Sequence, residues 1–363
     1  MNLAMTTPGE APRRREAPEA IGAGLSVAGG SVAPETAEEI AARHYGITGR
    51  ATPLIGEKDA NFRLDAADGG RFFLKILHPG ESAGVSSMHT LALLHVEARA
   101  PELPVQRVVR TRAGRADFRI GLGGEERTVR LTDFTPGLAQ KETEPSPAQA
   151  RAVGEVLARL QGALADFRHP AEDHETSWDM ARAGLLRAVL PLVRDETERA
   201  LLTEILDAFD ARLAPRLAAL PRQMAHNDFN KDNILVDPAA PERIAGIIDF
   251  GDMLRTPVVC DVAVAAAYQL GEGGDDPLAA ALPFLSGHGA LNPLSEEEIA
   301  LLPTAILTRM AMRLLVTQWR ADRLPERADY ILRNSPSVRA QLRAFAAYAP
   351  GEASARIASA CQA

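Results

Sequence analysis

His226-Asn-Asp228-Phe-Asn-Lys-Asp-Asn233, followed by Ile248-Asp249-Phe-Gly-Asp252, decides how this chain is read. Two short apolar runs separate the clusters, Asn233-Ile-Leu-Val236 and Ile244 to Ile248, with proline-containing turn residues between them. That is a hairpin pattern, so both clusters sit where strands meet loops. Asn and Asp are common in any loop because they satisfy local backbone groups. One such cluster would therefore carry little weight. Two in this order, on one strand-loop-strand unit, bring a carboxylate, an amide and a second carboxylate toward one point.

Phosphoryl transfer needs parts of this kind. One carboxylate accepts the proton of the attacking hydroxyl, while a carboxylate and an amide oxygen hold Mg²⁺ against nucleotide phosphates. The forms H-x-D-x-x-x-x-N and D-F-G serve those roles in protein kinases. Asp228 is then the candidate base, and Asn233 and Asp249 are the candidate metal ligands. Lys75 adds a third part. The chain has only Lys58, Lys75, Lys141 and Lys231, and Lys75 lies in the run Phe72-Phe-Leu-Lys-Ile-Leu77. Burying an ammonium is costly unless an anion compensates it. A lysine on the third strand grips phosphates in kinases. The plain alternative is a lysine on a solvated strand face.

Around these residues the pattern changes along the chain. Residues 1–33 are rich in Pro, Gly, Ala and Glu without periodicity and read as a flexible tail. A short helix is expected near Glu35 to Tyr45. Asn61 to Asp65 and Arg71 to Leu77, joined by Asp68-Gly69-Gly70, form a hairpin. A helix over 84–98 and strands at Val105 to Arg112 and Arg127 to Phe134 follow. Beyond a linker at 134–146 the reading is helical. Ser146-Pro147 opens the first helix with an N-cap and a proline. Further helices are expected over 178–190, 196–219, 257–270, 295–321 and 336–348. The boundaries are a sheet lobe at 34–135 and a helical lobe at 136–363, with a ligand cleft between them.

Several positions stay open. Gly56 to Phe62 forms either a turn over phosphates or an ordinary hairpin turn. The acidic partner of Lys75 is Glu81 or Glu97, both near the ends of their segment, where Met88, His89 and Leu91 occupy the middle. Asp261 is expected to anchor the catalytic loop, and His226 to be packed and hydrogen-bonded.

Composition bounds the rest. The 363 residues carry 40 Lys+Arg and 48 Asp+Glu, a formal charge of −8, and 46% are hydrophobic. A disordered chain is excluded, and the acidic balance argues against a nucleic-acid partner. Cys260 and Cys361 give no disulfide framework. The apolar run near Val258 to Leu270 is broken by Asp261, so no membrane span is expected. Arg13 to Arg15 lack a hydrophobic stretch behind them, so a secretory signal is not expected and a cytoplasmic location is.

These motifs resemble the aminoglycoside phosphotransferase and choline kinase superfamily, whose fold is protein-kinase-like. The resemblance covers roughly 35–350. It is closest to the hydroxylysine kinase-like branch, on Glu57-Lys-Asp-Ala-Asn-Phe62, Trp178-Asp179-Met180, and Asp249-Phe-Gly-Asp-Met253 running into Val258-Val-Cys-Asp-Val-Ala263. It implies an α+β bilobal fold, with a small N-terminal antiparallel sheet lobe and a large helical C-terminal lobe. It also implies Mg²⁺, and ATP or GTP as donor, the nucleotide on Asn61, Phe62, Lys75, Phe73 and the linker residues Leu131 to Thr135, Phe134 among them. The acceptor implied is a small molecule bearing an amine, 5-hydroxylysine among them, in an acidic, aromatic pocket. Asp252, Trp178, Asp179 and Trp319 are candidates for it, with core or capping roles as the alternative. Aminoglycoside kinases, homoserine kinases and non-catalytic nucleotide binders are competing expectations. A protein kinase is disfavoured by the short segment after Asp249. The position two residues after the base is Asn230 here, with Lys231 one further.

Overall fold

The computed structural model describes residues 32–56, 58–272, 274, 276–349 and 351–362. Except for Val32 and Ala33, the expected tail lies outside them, as does Glu57. The chain opens with α1 (Pro34–Ile40), which continues as one wider turn to Tyr45. The strands β1 (Gly49–Leu54), β2 (Ala60–Ala66), β3 (Arg71–Ile76), β4 (Val108–Val109), β5 (Asp117–Leu122) and β6 (Glu125–Asp133) form one antiparallel sheet. Its order is β1-β2-β3-β6-β4, with β5 also on β6.

Alternation sorts the two faces. Phe62, Leu64, Leu74, Ile76, Val129 and Leu131 point to one side, where Ala37, Ile40, Ala41 and Tyr45 cover them. Lys75, Arg130 and Thr132 are buried on the other side, against α2 (Ala83–Arg99). The helix meets that face with small polar groups. Thr90 Oγ1 accepts from Arg130 at 3.2 Å. Its apolar residues Val85, Met88, Ala92, Leu93 and Val96 turn instead toward the helical lobe and join that core. Thus α2 is buried on two sides, and its sequence has no single apolar stripe.

The sheet corrects the sequence reading at three places. β1 was not expected because Pro53 and Gly49 are poor strand formers, yet β1 is an edge strand, where proline is tolerated. β5 was missed as well. The strand expected over 105–112 shrinks to two residues, since β5 already pairs most of that side of β6.

In the second lobe, β7 (Leu138–Ala139) of the linker pairs with β9 (Ile234–Asp237), which pairs with β10 (Ala240–Ile247). A separate ribbon joins β8 (Arg222–Ala225) to β11 (Leu254–Pro257). The helices are α3 (Pro147–Leu164), α4 (Glu196–Ala208), α5 (Ala214–Leu217), α6 (Val258–Gln269), α7 (Leu278–Leu291), α8 (Glu296–Arg323), α9 (Ala328–Leu332), α10 (Ser335–Ala346) and α11 (Glu352–Cys361). Ser146 caps α3, its hydroxyl accepting from Gln149 N–H at 3.1 Å. The helix expected over 178–190 is a run of tighter turns, Met180–Leu192. The one expected over 196–219 is split, with Pro215 inside the first turn of α5. Neither α7 nor α11 was expected. α7 is apolar or small nearly throughout and gives no helical period.

α8 runs through the core of this lobe. It is the one described helix long and apolar enough to cross a membrane, but 67% of its most apolar window is buried inside the protein. Two glycines let α3 and α7 cross closely. A Cβ on Gly154 would lie 2.0 Å from the Phe284 carbonyl oxygen, and one on Gly287 2.2 Å from the Arg151 carbonyl oxygen. Both obstacles are backbone, so neither can swing aside. Gly154→Val is expected to force the helices apart and to cost about 1–3 kcal/mol or more. Urea denaturation of the two proteins checks this, and an unchanged midpoint contradicts the packing.

Candidate active site

The β9–β10 hairpin places the first motif against the second. Asn233 precedes β9 and Ile248 follows β10, and the Ile248 N–H donates to the Asn233 carbonyl at 3.0 Å. On the other side, Ala225 pairs with Leu254 across the β8–β11 ribbon, so 226–228 and 249–252 run alongside each other. His226 is fully buried, bonded through Nε2 to the Ile248 carbonyl at 3.1 Å and packed on Phe250 with ring centroids 4.7 Å apart. Asp261, at the start of α6, is fully buried. Its Oδ1 accepts from the Asn227 N–H at 2.8 Å and its Oδ2 from Gln161 at 2.9 Å. The expected anchoring role of Asp261 and the packed His226 are both found.

These bonds hold Asn227 at φ +61°, and Asp249 sits at φ +58°. They are the only non-glycine residues in the left-handed region among the described residues. Asp and Asn tolerate that region better than most residues.

Lys75 meets this loop from the sheet lobe. Its Nζ lies 3.4 Å from Asp249 Oδ1 and 3.2 Å from Asp59 Oδ2. Burial lowers the ammonium pKa, but Asp249 and Asp59 outweigh it, and the net direction is up. Lys75 in turn holds the Asp249 carboxyl down at about 2. Neither Glu81 nor Glu97 takes the expected partnership. Glu81 pairs with Lys58 at 2.7 Å. The partner is Asp59. Asn61 stands opposite Lys75 in the β2–β3 register, and Asp59 reaches it from the bend just before β2.

Asp228 keeps two neighbours. Asn233 Nδ2 donates to its Oδ2 at 2.7 Å, and Arg309 Nη2 lies 3.5 Å from its Oδ1. Burial raises the Asp228 pKa, and Arg309 opposes that. Asp252 is pushed up to about 7 by burial and by the Asp228 and Asp249 charges. Arg309 was missed in the sequence. It is fully buried, stacks on Trp178 with its guanidinium carbon 4.7 Å from the ring centroid, and reaches the Trp178 carbonyl. The available signal was a pair of arginines four apart, Arg309 and Arg313, inside an apolar helical run.

Asn61, Lys75, Trp178, Asp228, Asn233, Asp249, Asp252 and Arg309 line one cavity of about 520 Å³. The other expected positions lie elsewhere. Phe62 and Leu131 belong to the sheet core, and the Leu131 backbone sits between Leu74 and Val109 of its neighbouring strands. Phe73 shares the Lys75 face but does not line the cavity. Phe134 is half-buried, with its N–H on the Arg71 carbonyl. Asp179 caps the turns after it, accepting from the Ala181 N–H at 3.0 Å. Trp319 is buried under Arg323. Lys231 points to Glu272 at 3.9 Å, and Asn230 lines the cavity.

A family model described as the phosphotransferase enzyme family matches residues 51–296. The chain belongs to that family. It is similar to a hydroxylysine kinase of Danio rerio, 26% identical over 307 residues, covering 81% of this chain and 86% of that protein. It is also similar to a homoserine kinase of Methylobacillus flagellatus, 28% identical over 276 residues, covering 74% and 79%. Among solved structures, an amicoumacin kinase in complex with AMP-PNP, Ca²⁺ and Ami aligns with a TM-score of 0.64 at 14% identity, covering 84% of this chain and 93% of that one. At that identity it speaks for the fold, which is kinase-like, as the sequence led one to expect.

The Asp261 anchor gives a stability test. Asp261→Ala leaves the buried Asn227 N–H without its acceptor, and is expected to cost about 1–3 kcal/mol. Chemical denaturation measures it, and a loss near zero would mean that the loop is held by other contacts.

Proposed function

We propose that this phosphotransferase moves the γ-phosphoryl group of a Mg²⁺-nucleotide, ATP or GTP, to the hydroxyl of a small amino-alcohol or hydroxy-amino-acid substrate. One observation carries the reading. Lys75 and Asp249, 3.4 Å apart, and Asp228 and Asn233, 2.7 Å apart, line the same cavity although they come from distant parts of the chain. The relatives named for hydroxylysine and homoserine support an acceptor of this size.

The donor set fits a magnesium ion. Asn233 uses its amide N–H groups on Asp228, which leaves its Oδ1 for a cation beside the Asp249 carboxylate. Among the described residues no group of three or more acidic, His or Cys side chains is built to hold a metal. That suits Mg²⁺, which takes one or two carboxylates and completes its shell with phosphate and water oxygens. When bound, it neutralises charge on the transferring phosphates. Lys75 adds a fixed positive charge at the phosphate end. Asp228 orients the acceptor hydroxyl and takes its proton, and the bond from Asn233 to its Oδ2 helps to fix the direction of its carboxylate. Alignment and charge neutralisation supply most of the rate.

Asp228→Ala is expected to lower transfer by at least about 10³-fold, while nucleotide binding, read by thermal shift, persists. A coupled assay with ATP and GTP against hydroxy amino acids, amino alcohols and aminoglycosides checks it. Turnover near the wild-type rate would remove Asp228 from its role. No product from any acceptor would favour a non-catalytic nucleotide binder.

The raised carboxyls predict a pH effect. Asp252 is protonated below about 7 and charged above it. A cationic substrate binds the charged form, so kcat/KM is expected to rise with pH from about 6 to 8. Asp252→Asn removes the titrating group and should flatten that limb, with a lower kcat/KM for a cationic substrate at high pH. A wild-type profile flat over this range contradicts the assignment.

A further inference from the structure

The acceptor end of the cavity differs from the acidic pocket that the sequence suggested. Five arginines line the cavity: Arg309, Arg313, Arg320, Arg327 and Arg333. Arg309, Arg313 and Arg320 fall on one face of α8, with Thr317 between them. Arg309 is committed to Asp228 and Trp178. One turn further along, Arg313 is not committed. Its guanidinium carbon stacks on Tyr268, 4.0 Å from the ring centroid, and it makes no hydrogen bond or ion pair among the described residues. Arg327 also makes none, its only ring contact being Tyr330 at 5.8 Å.

Most carboxylates sharing the cavity are taken; Asp228 is held by Arg309 and Asn233 and its charge reaches Arg313, while Asp252 has no ion pair among the described residues. Asp59 and Asp249 pair with Lys75, Glu81 with Lys58, Asp232 with Lys141, and Glu175 with Arg182. Glu272, whose charge reaches Arg313, is exposed and lies 3.9 Å from Lys231. Burial, with Arg309 adding to it, lowers the Arg313 pKa, as for a cation short of an anion. A guanidinium offers five donors in a planar fork that matches a carboxylate. An arginine left facing a cavity with those donors unused is a site waiting for an anion.

We infer that Arg313 receives the carboxylate of the acceptor substrate. The substrate is then a hydroxy amino acid, and not an amino alcohol lacking the acid group. This rests on the hydroxyl-transfer reading given above. The hydroxyl lies at Asp228, which Arg309 marks on α8. The carboxylate lies one helical turn along, roughly 5–6 Å away at the helix surface. Asp252 and Trp178 line the same cavity, Trp178 against Arg309, and offer a carboxylate and a ring for an ammonium. A short chain carrying all three groups spans this arrangement. Stacking on Tyr268 holds the guanidinium plane in place, so little freedom is lost when the acid binds.

The test compares each acid with its decarboxylated counterpart: homoserine with 3-aminopropan-1-ol, and 5-hydroxylysine with the corresponding hydroxy diamine. The kcat/KM of each is measured with MgATP and MgGTP for the wild type, Arg313→Met and Arg313→Lys. The wild type is expected to prefer at least one acid over its counterpart by about 100-fold or more, because a buried cation rejects a ligand that leaves it unpaired. Arg313→Met should bring that ratio below about tenfold, through a raised KM for the acid. Arg313→Lys, which keeps the charge and loses the fork, should fall between. A wild type indifferent to the carboxylate overturns the inference. So does an Arg313→Met protein that loses both members of a pair equally. Transfer to amino alcohols or aminoglycosides alone overturns the inference and leaves the kinase reading standing. Transfer to no compound overturns both. Should Arg313→Met fail to fold, the wild-type ratio and the lysine variant still decide.

Discussion

A buried ammonium from the sheet lobe and a carboxylate from the helical lobe meet across the cleft, and the rest of the site is arranged around them. Lys75 is 9% exposed. An unpaired charge at that depth is strongly unfavourable, so the fold supplies two anions, one from each lobe. Asp59 comes from the loop before β2, and Asp249 from the loop after β10. Arg130 adds a second buried cation on the same sheet face and works against the Lys75 charge. The local balance of Lys75, Arg130, Asp59 and Asp249 is therefore close to neutral, which allows the face to be buried. A polyanion entering the cleft competes with Asp59 and Asp249 for Lys75, and a bound cation would offset Asp249. The pair that bridges the two lobes is thus the pair that a bound phosphate and cation would rearrange.

The loop around Asp228 is held from behind. Asp261 takes the Asn227 N–H, and His226 takes the Asp228 N–H on Nδ1 and bonds the Ile248 carbonyl through Nε2. Asn227 and Asp249 are in a backbone region that costs roughly 1–3 kcal/mol for most residues. Short polar side chains reduce that cost, and those of both residues are used. Asn227 Nδ2 reaches the carbonyls of Trp178 and Asp252, at 3.3 and 3.2 Å. Asp249 accepts from the Gly251 N–H at 3.3 Å. The same side chains that ease the strain tie the catalytic loop to the segment after Asp249 and to the wall that carries Trp178.

Asp228, Asn233, Asp249 and Lys75 were legible because their meaning is local. A hairpin fixes the distance between the first three, and a charge inside an apolar strand announces the fourth. What depended on register or helix rotation was not legible. Asp59 lies in the bend before β2, so its approach to Lys75 depends on where that loop folds back over the sheet. Phe62 and Leu131 were placed in the cleft by proximity in sequence, whereas alternation sends them to the opposite face. Arg309 and Arg313 lie far along the chain from every motif, and only the rotation of α8 aims them at Asp228 and the acceptor end. Edge strand β1 and helix α7 escaped for a different reason: tertiary pairing and burial stabilise segments whose own propensities are weak.

With Asp228 as the proposed base, its environment also bears on when the proton would move. Burial raises its pKa and makes it a better base, while Arg309 at 3.5 Å makes it a poorer one. A base working early, on a hydroxyl whose own pKa is high, would need the first effect unopposed. In a loose phosphoryl-transfer transition state the hydroxyl oxygen has bonded little to phosphorus, so its proton is not yet acidic. The useful property at that stage is a fixed acceptor direction. Asn233 on Oδ2 and Arg309 on Oδ1 provide it, because a carboxylate held at both oxygens does not rotate. Arg309 therefore sacrifices some basicity for geometry, and its own position is set by the Trp178 ring and carbonyl. The wall of the acceptor pocket and the direction of the base are then one structure, so a substrate that fails to seat against Trp178 also disturbs the group that must receive its proton.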